Sequence, residues 1–317
     1  MQLPVLAIVV PCYNEQECIE LTSNRLIEVL KDMEEKMVIS SNSFILCVDD
    51  GSSDDTWNIV ERLNVETSQK VKGIKFSRNF GNQKALLAGL YESDTLNADC
   101  IITIDADLQQ DENKIIEFVE KYKNGAQIVC GIRNDRKTDC FLKKTTALAF
   151  YKFMNLLGVN IKVNHSDYRL IGSQALKALK SYHEVNLFLR GMFHEMGFKK
   201  DYVYFDVKPR EYGKSKFTPF SLFALALQGI TSFSIVPLRL VFFVGIFMAM
   251  CSFLLGLSAV FEYQNGKIVP GWTTIVVALG FIGGIQILCI GIIGEYLGQL
   301  FHEVKARPRY IIETKKY

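Results

Sequence analysis

The feature that most constrains this chain is a pair of long uncharged segments near its C-terminal end. Residues 240–261 form a run of 22 residues without a charged side chain, and residues 268–294 form a second run of 27. A helix needs about 20 apolar residues to cross a bilayer, and a core helix of that length normally keeps a polar stripe. The sequence therefore predicts two transmembrane helices, at about 240–261 and 270–294, within a hairpin at 238–297.

Charges beside these two runs predict their orientation. Arg239 precedes the first run, and the turn between the runs contains only Glu262 and Lys267. The basic residues after the second run are Lys305, Arg307, Arg309, Lys315 and Lys316. Because cytoplasmic flanks of membrane spans are enriched in Lys and Arg, both ends of the hairpin are expected in the cytoplasm. We therefore expect a multi-pass protein of the cell membrane whose N-terminal domain is cytoplasmic.

A third uncharged run, residues 217–238, is interrupted by polar residues and by Pro219 and Pro237. We interpret 217–237 as an interfacial amphipathic helix rather than a span. A third crossing would separate the N-terminal domain from the basic tail at 298–317, and the charges of that tail argue against such a separation.

Residues 1–216 alternate short β-branched segments with longer amphipathic ones, which is typical of a separate α/β domain. Strands are predicted at 5–10, 43–48, 72–76, 100–105 and 126–130, and helices at 15–37, 54–64, 82–93 and 111–124. This alternation favours a mostly parallel sheet with helices on both faces. In such sheets ligands bind beyond the carboxyl ends of the strands, so those ends are where a site is expected.

Several predicted strands end in acidic or amide side chains. Asp49 and Asp50 follow the second strand, and Asp105, Asp107 and Gln109 follow the fourth. Carboxylates that share one edge repel each other, and a hard cation such as Mg²⁺ or Mn²⁺ would neutralise them. An isolated Asp-x-Asp is more often a solvated turn, but this one ends a buried apolar run. In extended backbone Asp105, Asp107 and Gln109 would project from the same face, which favours a metal site.

Composition and missing motifs exclude several classes of protein. The 36 basic residues nearly balance the 34 acidic ones, without a dense basic block in the N-terminal domain, which argues against a nucleic-acid partner. The eight cysteines show no Cys-x-x-Cys spacing, which favours reduced thiols over a zinc site. Neither a dinucleotide-binding Gly-x-Gly-x-x-Gly nor a P-loop is present. A sugar nucleotide, whose diphosphate a metal could bridge, remains the favoured ligand.

Seven short motifs, taken in order, resemble a known family. They are Pro11-Cys12-Tyr13-Asn14-Glu15, Asp49-Asp50-Gly51-Ser52, Ser77-Arg78-Asn79-Phe80-Gly81, Asp105-Ala106-Asp107-Leu108-Gln109, Ser166-Asp167-Tyr168-Arg169-Leu170, Asn186-Leu187-Phe188-Leu189-Arg190-Gly191 and Gly213-Lys214-Ser215-Lys216-Phe217. Together they are similar to the family-2 glycosyltransferases of GT-A (Rossmann-like) fold that act on polyprenyl phosphate. The bactoprenol glucosyltransferase branch, related to dolichol-phosphate mannose synthase, resembles the chain most closely, over nearly its whole length.

The resemblance implies roles for individual residues. The nucleotide would contact Pro11, Tyr13, Glu15, Asp49, Asp50, Asp105 and Arg210. The acceptor phosphate would contact Arg133, Lys143, Lys144, Arg169, Ser215 and Lys216. Asp107 and Gln109 would bind Mg²⁺ or Mn²⁺, and the catalytic set would be Asp105, Asp107, Asp167 and Arg133. Relatives commonly read Asp-Leu-Gln-Asp-Pro where this chain has Gln110 and Asp111 after Gln109, which leaves the start of the next helix open.

The reaction implied by the resemblance needs little proton transfer. A phosphate monoester is largely dianionic near pH 7, so it can attack the sugar carbon without a base. A single displacement would invert the anomeric centre. Asp167 is the one carboxylate that could still act as a base, with Arg169 as its partner, and an Asp that only orients this Arg is equally compatible with the sequence.

The predicted function is therefore transfer of one hexose, with glucose favoured, from a UDP-sugar to undecaprenyl phosphate at the cytoplasmic membrane face. UDP-N-acetylglucosamine, UDP-galactose or GDP-mannose are alternative donors, and a non-catalytic membrane-tethered scaffold is the alternative to an enzyme. A processive synthase would carry Gln-x-x-Arg-Trp, which neither Trp57 nor Trp272 provides. A homo-oligomer, dimer or tetramer, is expected. Gly-x-x-x-Gly at 280–284 and 294–298 fits such contacts and equally fits ordinary membrane-helix glycines.

Overall fold

A computed structural model describes residues 3–134, 165–182, 184, 189–208, 236–265 and 271–317 of the chain. The chain divides into two units. The first comprises residues 1–152, 160–217 and 307–317, and the second comprises residues 153–159 and 218–306. The C-terminal residues thus belong to the same unit as the N-terminal domain.

The first unit alternates strands and helices, as predicted. Its strands are β1 (Leu6–Cys12), β2 (Phe44–Asp49), β3 (Val71–Phe76), β4 (Cys100–Thr103), β5 (Ile128–Arg133), β6 (His165–Gly172), β7 (Lys200–Phe205) and β8 (Ile312–Lys316). Its helices are α1 (Ile19–Glu35), α2 (Thr56–Glu66), α3 (Asn82–Thr95), α4 (Ile115–Lys123), α5 (Ser173–Lys180) and α6 (Leu189–Glu195). The prediction of an α/β domain is confirmed.

These strands form one sheet in the order β7-β5-β6-β4-β1-β2-β3-β8. The central strands β4, β1, β2 and β3 are parallel, and so is the β5–β7 pair. However, β6 runs antiparallel to both β4 and β5, and β8 runs antiparallel to β3. The sheet therefore contains antiparallel strands that the alternation of strands and helices did not predict. Neither β6 nor β8 belongs to the predicted series of alternating strands and helices.

The core of the unit follows from the hydrophobic pattern. Every residue of β1 and β2 is buried, as expected for central strands covered on both faces. Helix α1 buries Ile19, Leu26, Leu30 and Met33, which recur at the spacing of one helical face. Burial of these side chains fixes the carboxyl ends of the central strands at one edge of the sheet.

Two predicted boundaries at this edge are wrong. Strand β4 ends at Thr103 rather than at residue 105, and the chain then turns, with Leu108 in the left-handed region at φ 57°. Asp105, Asp107 and Gln109 therefore do not lie along extended backbone. The helix predicted from residue 111 begins instead with a 3-10 turn, Glu112–Lys114. The Asp111 carboxylate caps this turn by accepting the Asn113 N–H.

The C-terminal segment also differs from the predicted tail at 298–317. The last long helix continues to Val304, and residues 312–316 form β8 at the edge of the sheet. The sequence Ile312-Glu313-Thr314-Lys315-Lys316 resembles a charged tail because an edge strand keeps polar side chains on its exposed positions.

The second unit contains two long apolar helices, α7 (Val236–Gln264) and α8 (Trp272–Val304). Segments Val236–Leu254 and Ala278–Val304 have mean hydropathies of 2.0 and 1.8 with none of their residues buried, so they are long and apolar enough to cross a membrane. This agrees with the predicted hairpin. The predicted interfacial helix lies outside the described residues up to residue 235.

Candidate active site

Four loops meet at the carboxyl edge of the central strands. They follow β1, β2, β3 and β4, and they comprise residues 13–18, 50–55, 77–81 and 104–111. We call these four loops the rim. Because the four strands are parallel neighbours, the rim gathers most of the acidic residues that the sequence singled out.

The loops after β1 and β2 are fastened to each other. The Asn14 N–H donates to Ser52 Oγ at 2.9 Å, and Asn14 Oδ1 accepts the Ser53 N–H at 2.9 Å. Asn14 adopts φ 52°, a left-handed conformation that Asn tolerates well. These contacts hold the backbone on either side of Asn14, where the predicted nucleotide-binding residues Tyr13 and Glu15 lie. Pro11 is buried within β1 itself, opposite Val48 of β2.

Asp49 is fully buried at the end of β2. Its Oδ1 accepts the Ser52 N–H at 3.0 Å and also a hydrogen bond from the Ser52 hydroxyl. Its Oδ2 has no hydrogen-bond partner among the described residues. Burial raises the pKa of this carboxyl, and the Ser52 hydrogen bonds oppose part of that rise.

Asp50 fastens the loop after β3 to the rim. Its Oδ1 accepts the Phe80 N–H at 2.6 Å, and its Oδ2 accepts the Gly81 N–H at 2.8 Å. Burial raises the pKa of Asp50, and the two N–H donors oppose the rise. Protein donors therefore offset part of the cost of burying the charges of Asp49 and Asp50. The expectation that a cation neutralises the carboxylates of this edge stays a prediction.

Residues 77–81 form one of the seven motifs, but no role was predicted for them. The backbone of this loop packs directly against Gly51, because a Cβ added at Gly51 would lie 2.4 Å from the backbone carbonyl carbon of Arg78. Gly51 has φ 70° and Gly81 has φ 99°, so both need the left-handed region. Gly51 was therefore the signal in the sequence that the loops after β2 and β3 are in contact.

Asp105 is held by Gln110 at the end of β4. The Asp105 N–H donates to Gln110 Oε1 at 3.0 Å, and Gln110 Nε2 donates to Asp105 Oδ2 at 2.5 Å and to Ser166 Oγ at 3.2 Å. Gln110 is 1% exposed. Gln110, at which this chain departs from the family pattern, is therefore a buried residue of the rim.

Asp107 and Gln109 are brought together by the turn at Leu108. Asp107 Oδ1 accepts the Gln109 N–H at 3.2 Å, and the Gln109 carbonyl accepts the Lys208 N–H at 3.0 Å. Lys208 is anchored in turn, because its Nζ lies 2.7 Å from Glu112 Oε2. Hydrogen bonds therefore hold this loop at both Asp107 and Gln109, although its backbone is not extended.

The donor set at this turn fits a hard divalent cation. No group of three His, Cys, Asp or Glu side chains among the described residues could hold a metal by itself. Asp107 and Gln109 offer a carboxylate and an amide oxygen, and Mg²⁺ commonly takes only one or two protein ligands and completes its shell with phosphates and water. The pair fits a cation that a bound diphosphate also coordinates.

Strands β5 and β6 supply basic residues. Arg169 is 3% exposed, donates to Asp167 Oδ1 at 2.9 Å, and lies 5.0 Å from the centroid of the Phe193 ring. The predicted pairing of Asp167 with Arg169 is therefore present. Arg133 ends β5, and its buried Nε has no hydrogen-bond partner among the described residues.

Five predicted site residues fall outside the described residues. They are Lys143, Lys144, Arg210, Ser215 and Lys216. The structure places the remaining candidates in two neighbouring groups, the rim of β1 to β4 and the ends of β5 and β6. An active site that handles a nucleotide in the first group and an anion beside the arginines of the second is consistent with this arrangement.

Sequence comparison assigns both parts of the chain. The profile of Glycosyl transferase family 2 matches residues 7–180, and that of the GtrB C-terminal hairpin matches residues 236–300. The chain is 45% identical to the "Uncharacterized glycosyltransferase YkoT" of Bacillus subtilis (strain 168), over 99% of this chain and 93% of the relative. It is 38% identical to the "Bactoprenol glucosyl transferase" of Shigella phage SfX, over 98% of this chain and 99% of the relative.

Among solved structures, glucosyl-3-phosphoglycerate synthase from Mycobacterium tuberculosis, in complex with Mn²⁺, uridine diphosphate and phosphoglyceric acid, has a TM-score of 0.47 to this chain. The two are 15% identical, and the similarity covers 72% of this chain and 76% of that one.

Proposed function

The chain belongs to glycosyl transferase family 2, and from this premise we propose that it transfers one hexose from a UDP-sugar, with UDP-glucose favoured, to undecaprenyl phosphate. The observation that carries the proposal is the full-length similarity to bactoprenol glucosyl transferases, which includes the hairpin as well as the catalytic domain. A lipid-linked acceptor gives that hairpin a purpose, because it keeps the enzyme in the membrane that holds the acceptor.

We assign the donor to the rim. Tyr13, Glu15 and Asp50 lie on loops that hydrogen bonds fasten together, so they are suited to hold the uridine in one orientation. Asp107 and Gln109 would hold Mg²⁺ or Mn²⁺ together with the diphosphate. When bound, such a cation stabilises the negative charge that develops on the departing UDP.

We assign the acceptor phosphate to the basic side of the site. The guanidinium of Arg169 is oriented by Asp167, and the Arg133 Nε is a donor without a partner among the described residues. Arginine suits this task because its planar fork matches phosphate oxygens. Asp167 is paired at 2.9 Å, which favours an orienting role over that of a base.

The proposed reaction is a single displacement. The lipid phosphate is already ionised near neutral pH, so its oxygen attacks the anomeric carbon while the bond to UDP breaks, and no proton has to be removed. The residues of the site hold the two anionic substrates close to each other and aligned. The product is the inverted polyprenyl-phosphate sugar on the cytoplasmic side.

Transfer of radiolabel tests this proposal. The full chain in lipid nanodiscs is incubated with undecaprenyl phosphate and labelled UDP-glucose, UDP-N-acetylglucosamine, UDP-galactose or GDP-mannose. We expect UDP-glucose to label an organic-extractable, acid-labile lipid, and Asp107→Ala or EDTA to abolish the labelling. Asp201→Asn is the control, because Asp201 lies near the amino end of β7 and is expected to leave transfer unchanged. Label in lipid that neither Asp107→Ala nor EDTA reduces would contradict the metal role, and UDP binding without transfer from any donor would favour a scaffold.

A further inference from the structure

The Gln110 side chain makes three hydrogen bonds inside the protein, one through its oxygen and two through its nitrogen. Its Oε1 accepts the Asp105 N–H, and its Nε2 donates to Asp105 Oδ2 and Ser166 Oγ. An amide nitrogen carries two N–H groups, so both are used. Ser166 is also buried, and its Oγ additionally accepts the Tyr168 N–H at 3.2 Å. These contacts hold Asp105 at both its backbone and its carboxylate.

Only a neutral amide of this length satisfies these partners. A carboxylate at position 110 would place a second negative charge against Asp105 and would have no N–H for Ser166. An apolar side chain of the same length would leave the Asp105 N–H and Oδ2 without this partner at a half-buried position.

Gln110 also joins the two groups of site residues. Strand β4 pairs antiparallel with β6, with Thr103 opposite Arg169. The segment after β4 therefore runs alongside Asp167 and Ser166, which precede Arg169 in β6. Asp105 thus lies where the nucleotide-binding rim meets the paired Asp167 and Arg169. The bond from sugar to phosphate must lie between these two groups if the donor binds on one and the acceptor on the other.

From this geometry we infer that Gln110 is a positioning residue, which holds the Asp105 carboxylate towards the donor's sugar during transfer. The inference rests on the proposed function. Because the inference places the Asp105 carboxylate against the sugar and not against the UDP moiety, loss of Gln110 should lower the rate of transfer and leave binding of UDP nearly unchanged. A residue that merely stabilised the fold would not separate these two quantities.

The test measures kcat for transfer and the Kd of UDP with Mn²⁺ for the full chain and for Gln110→Met and Gln110→Glu. We expect each variant to lower kcat by about 10- to 100-fold, the size of effect that an unsatisfied buried polar contact produces, with the Kd of UDP within about threefold of the parent. Gln110→Glu keeps an acceptor for the Asp105 N–H, so it remains informative if Gln110→Met proves unstable.

Asn64→Leu is the matched control, because Asn64 is a buried amide that donates to the Val71 carbonyl at 2.7 Å away from the rim. It should lower the Tm without lowering kcat at temperatures where the protein is folded. The inference is overturned if the parent transfers sugar and both Gln110 variants keep kcat within twofold. It is also overturned if their kcat and UDP affinity fall in parallel. Failure of the proposed function would appear differently, as absence of transfer by the parent chain.

Discussion

At the scale of single residues, Gly51 determines how closely two loops of the rim approach. A Cβ at this position would lie 2.4 Å from the backbone of Arg78, and the backbone there has φ 70°. Gly51→Ala should therefore displace the loop after β3, in which the Phe80 and Gly81 N–H groups donate to Asp50. We expect UDP affinity to fall about tenfold or more, measured by titration calorimetry, together with a lower Tm.

Gly125→Ala separates backbone strain from this displacement. Gly125 has φ 91°, but an added Cβ would meet only the Lys199 Nζ at 3.8 Å. The substitution should lower the Tm by strain and leave UDP affinity unchanged. Equal UDP affinity in both alanine variants would show that the contact between Gly51 and Arg78 does not support the nucleotide site.

Asp49 is predicted to limit stability at neutral pH. Burial raises its pKa, so the folded chain holds a proton on this carboxyl more tightly than the unfolded chain does. The ionised form therefore costs stability above the folded pKa, and the cost disappears as the pH falls below the ordinary carboxyl value. Asp49→Asn should raise the Tm at pH 7, and this gain should shrink under acidic conditions.

Asp201→Asn provides a control of opposite sign. The Tyr202 N–H and Lys121 lower the pKa of Asp201, so its ionised form stabilises the fold at neutral pH. Its substitution should lower the Tm at pH 7 rather than raise it, and the loss should fade as the pH falls through the folded pKa. A lower Tm for Asp49→Asn at pH 7 would mean that the hydrogen bonds from Ser52 outweigh the burial of the charge.

The sequence predicted the places of the candidate residues in the fold better than it predicted their contacts. Asp50, Asp105 and Asp107 were predicted at strand ends, and they lie there. The partners of Asp50 and Asp105 could not be predicted, because the Phe80 N–H and the Gln110 amide reach them only through turns. Those turns depend on left-handed backbone at Gly51 and Leu108, and the conformation of Leu108 leaves no signal in residue type.

At the scale of elements, β8 brings the C-terminal end of the chain onto the edge of the catalytic sheet. Lys315 Nζ lies 2.8 Å from both carboxylate oxygens of Glu92 in α3, and the Tyr317 hydroxyl also donates to Glu92. Before the strand, Tyr310 stacks on Phe76 with ring centroids 5.2 Å apart. Phe76 ends β3, so the segment that leads into β8 supports the start of the loop that holds Asp50.

Two adjacent lysines of β8 should differ in their contribution to stability. Successive side chains of a strand point to opposite faces, and Glu92, the partner of Lys315, is 9% exposed. Lys315→Ala should cost about 1–2 kcal/mol of unfolding free energy, because it leaves a buried carboxylate with fewer donors. Lys316 pairs at 3.2 Å with the exposed Glu61, so Lys316→Ala should cost less than about 1 kcal/mol.

Denaturant unfolding of the purified chain measures both lysine variants. Equal losses for the two substitutions would mean that the Lys315–Glu92 contact does not fasten β8 to the domain. A larger loss for Lys316→Ala would contradict the assignment of the two faces of the strand.

Elements with a strong repeating pattern were predicted correctly, whereas β6, β7 and β8 were not predicted as strands. The segments from β1 to β5 show apolar runs that alternate with amphipathic helices, and this pattern can be recognised without knowledge of the fold. Strand β6 contains Ser166, Asp167 and Arg169, and hydrogen bonds join Ser166 to Gln110 and Arg169 to Asp167. Their polarity masked a buried strand.

At the scale of the whole molecule, the pairing of β8 with β3 constrains the membrane topology. Both strands belong to one sheet, so residues 76 and 312 lie on the same side of the membrane. The chain between them must therefore cross the membrane an even number of times. One crossing by each of α7 and α8, as we propose, would meet this requirement, and the basic residues that flank the hairpin favour the same arrangement.

Cysteine labelling tests this topology in intact cells. Asn265 is exposed at the end of α7, so Asn265→Cys should react with a membrane-impermeant maleimide from outside. Lys316→Cys should react only after the membrane is permeabilised. The parent chain is the blank, since its described cysteines are buried in the first unit or lie within α7 and α8. Outside labelling of Lys316→Cys would contradict a cytoplasmic catalytic domain.

The central claim is that Asp107 and Gln109 bind UDP through a divalent cation. Titration of UDP into the full chain, with Mn²⁺ or with EDTA, tests it most directly. We predict that Mn²⁺ increases the affinity of the parent chain for UDP at least tenfold, about 1.4 kcal/mol, and that Asp107→Ala removes this increase. Equal binding of UDP in EDTA, or a dependence on Mn²⁺ that persists in Asp107→Ala, would contradict the account.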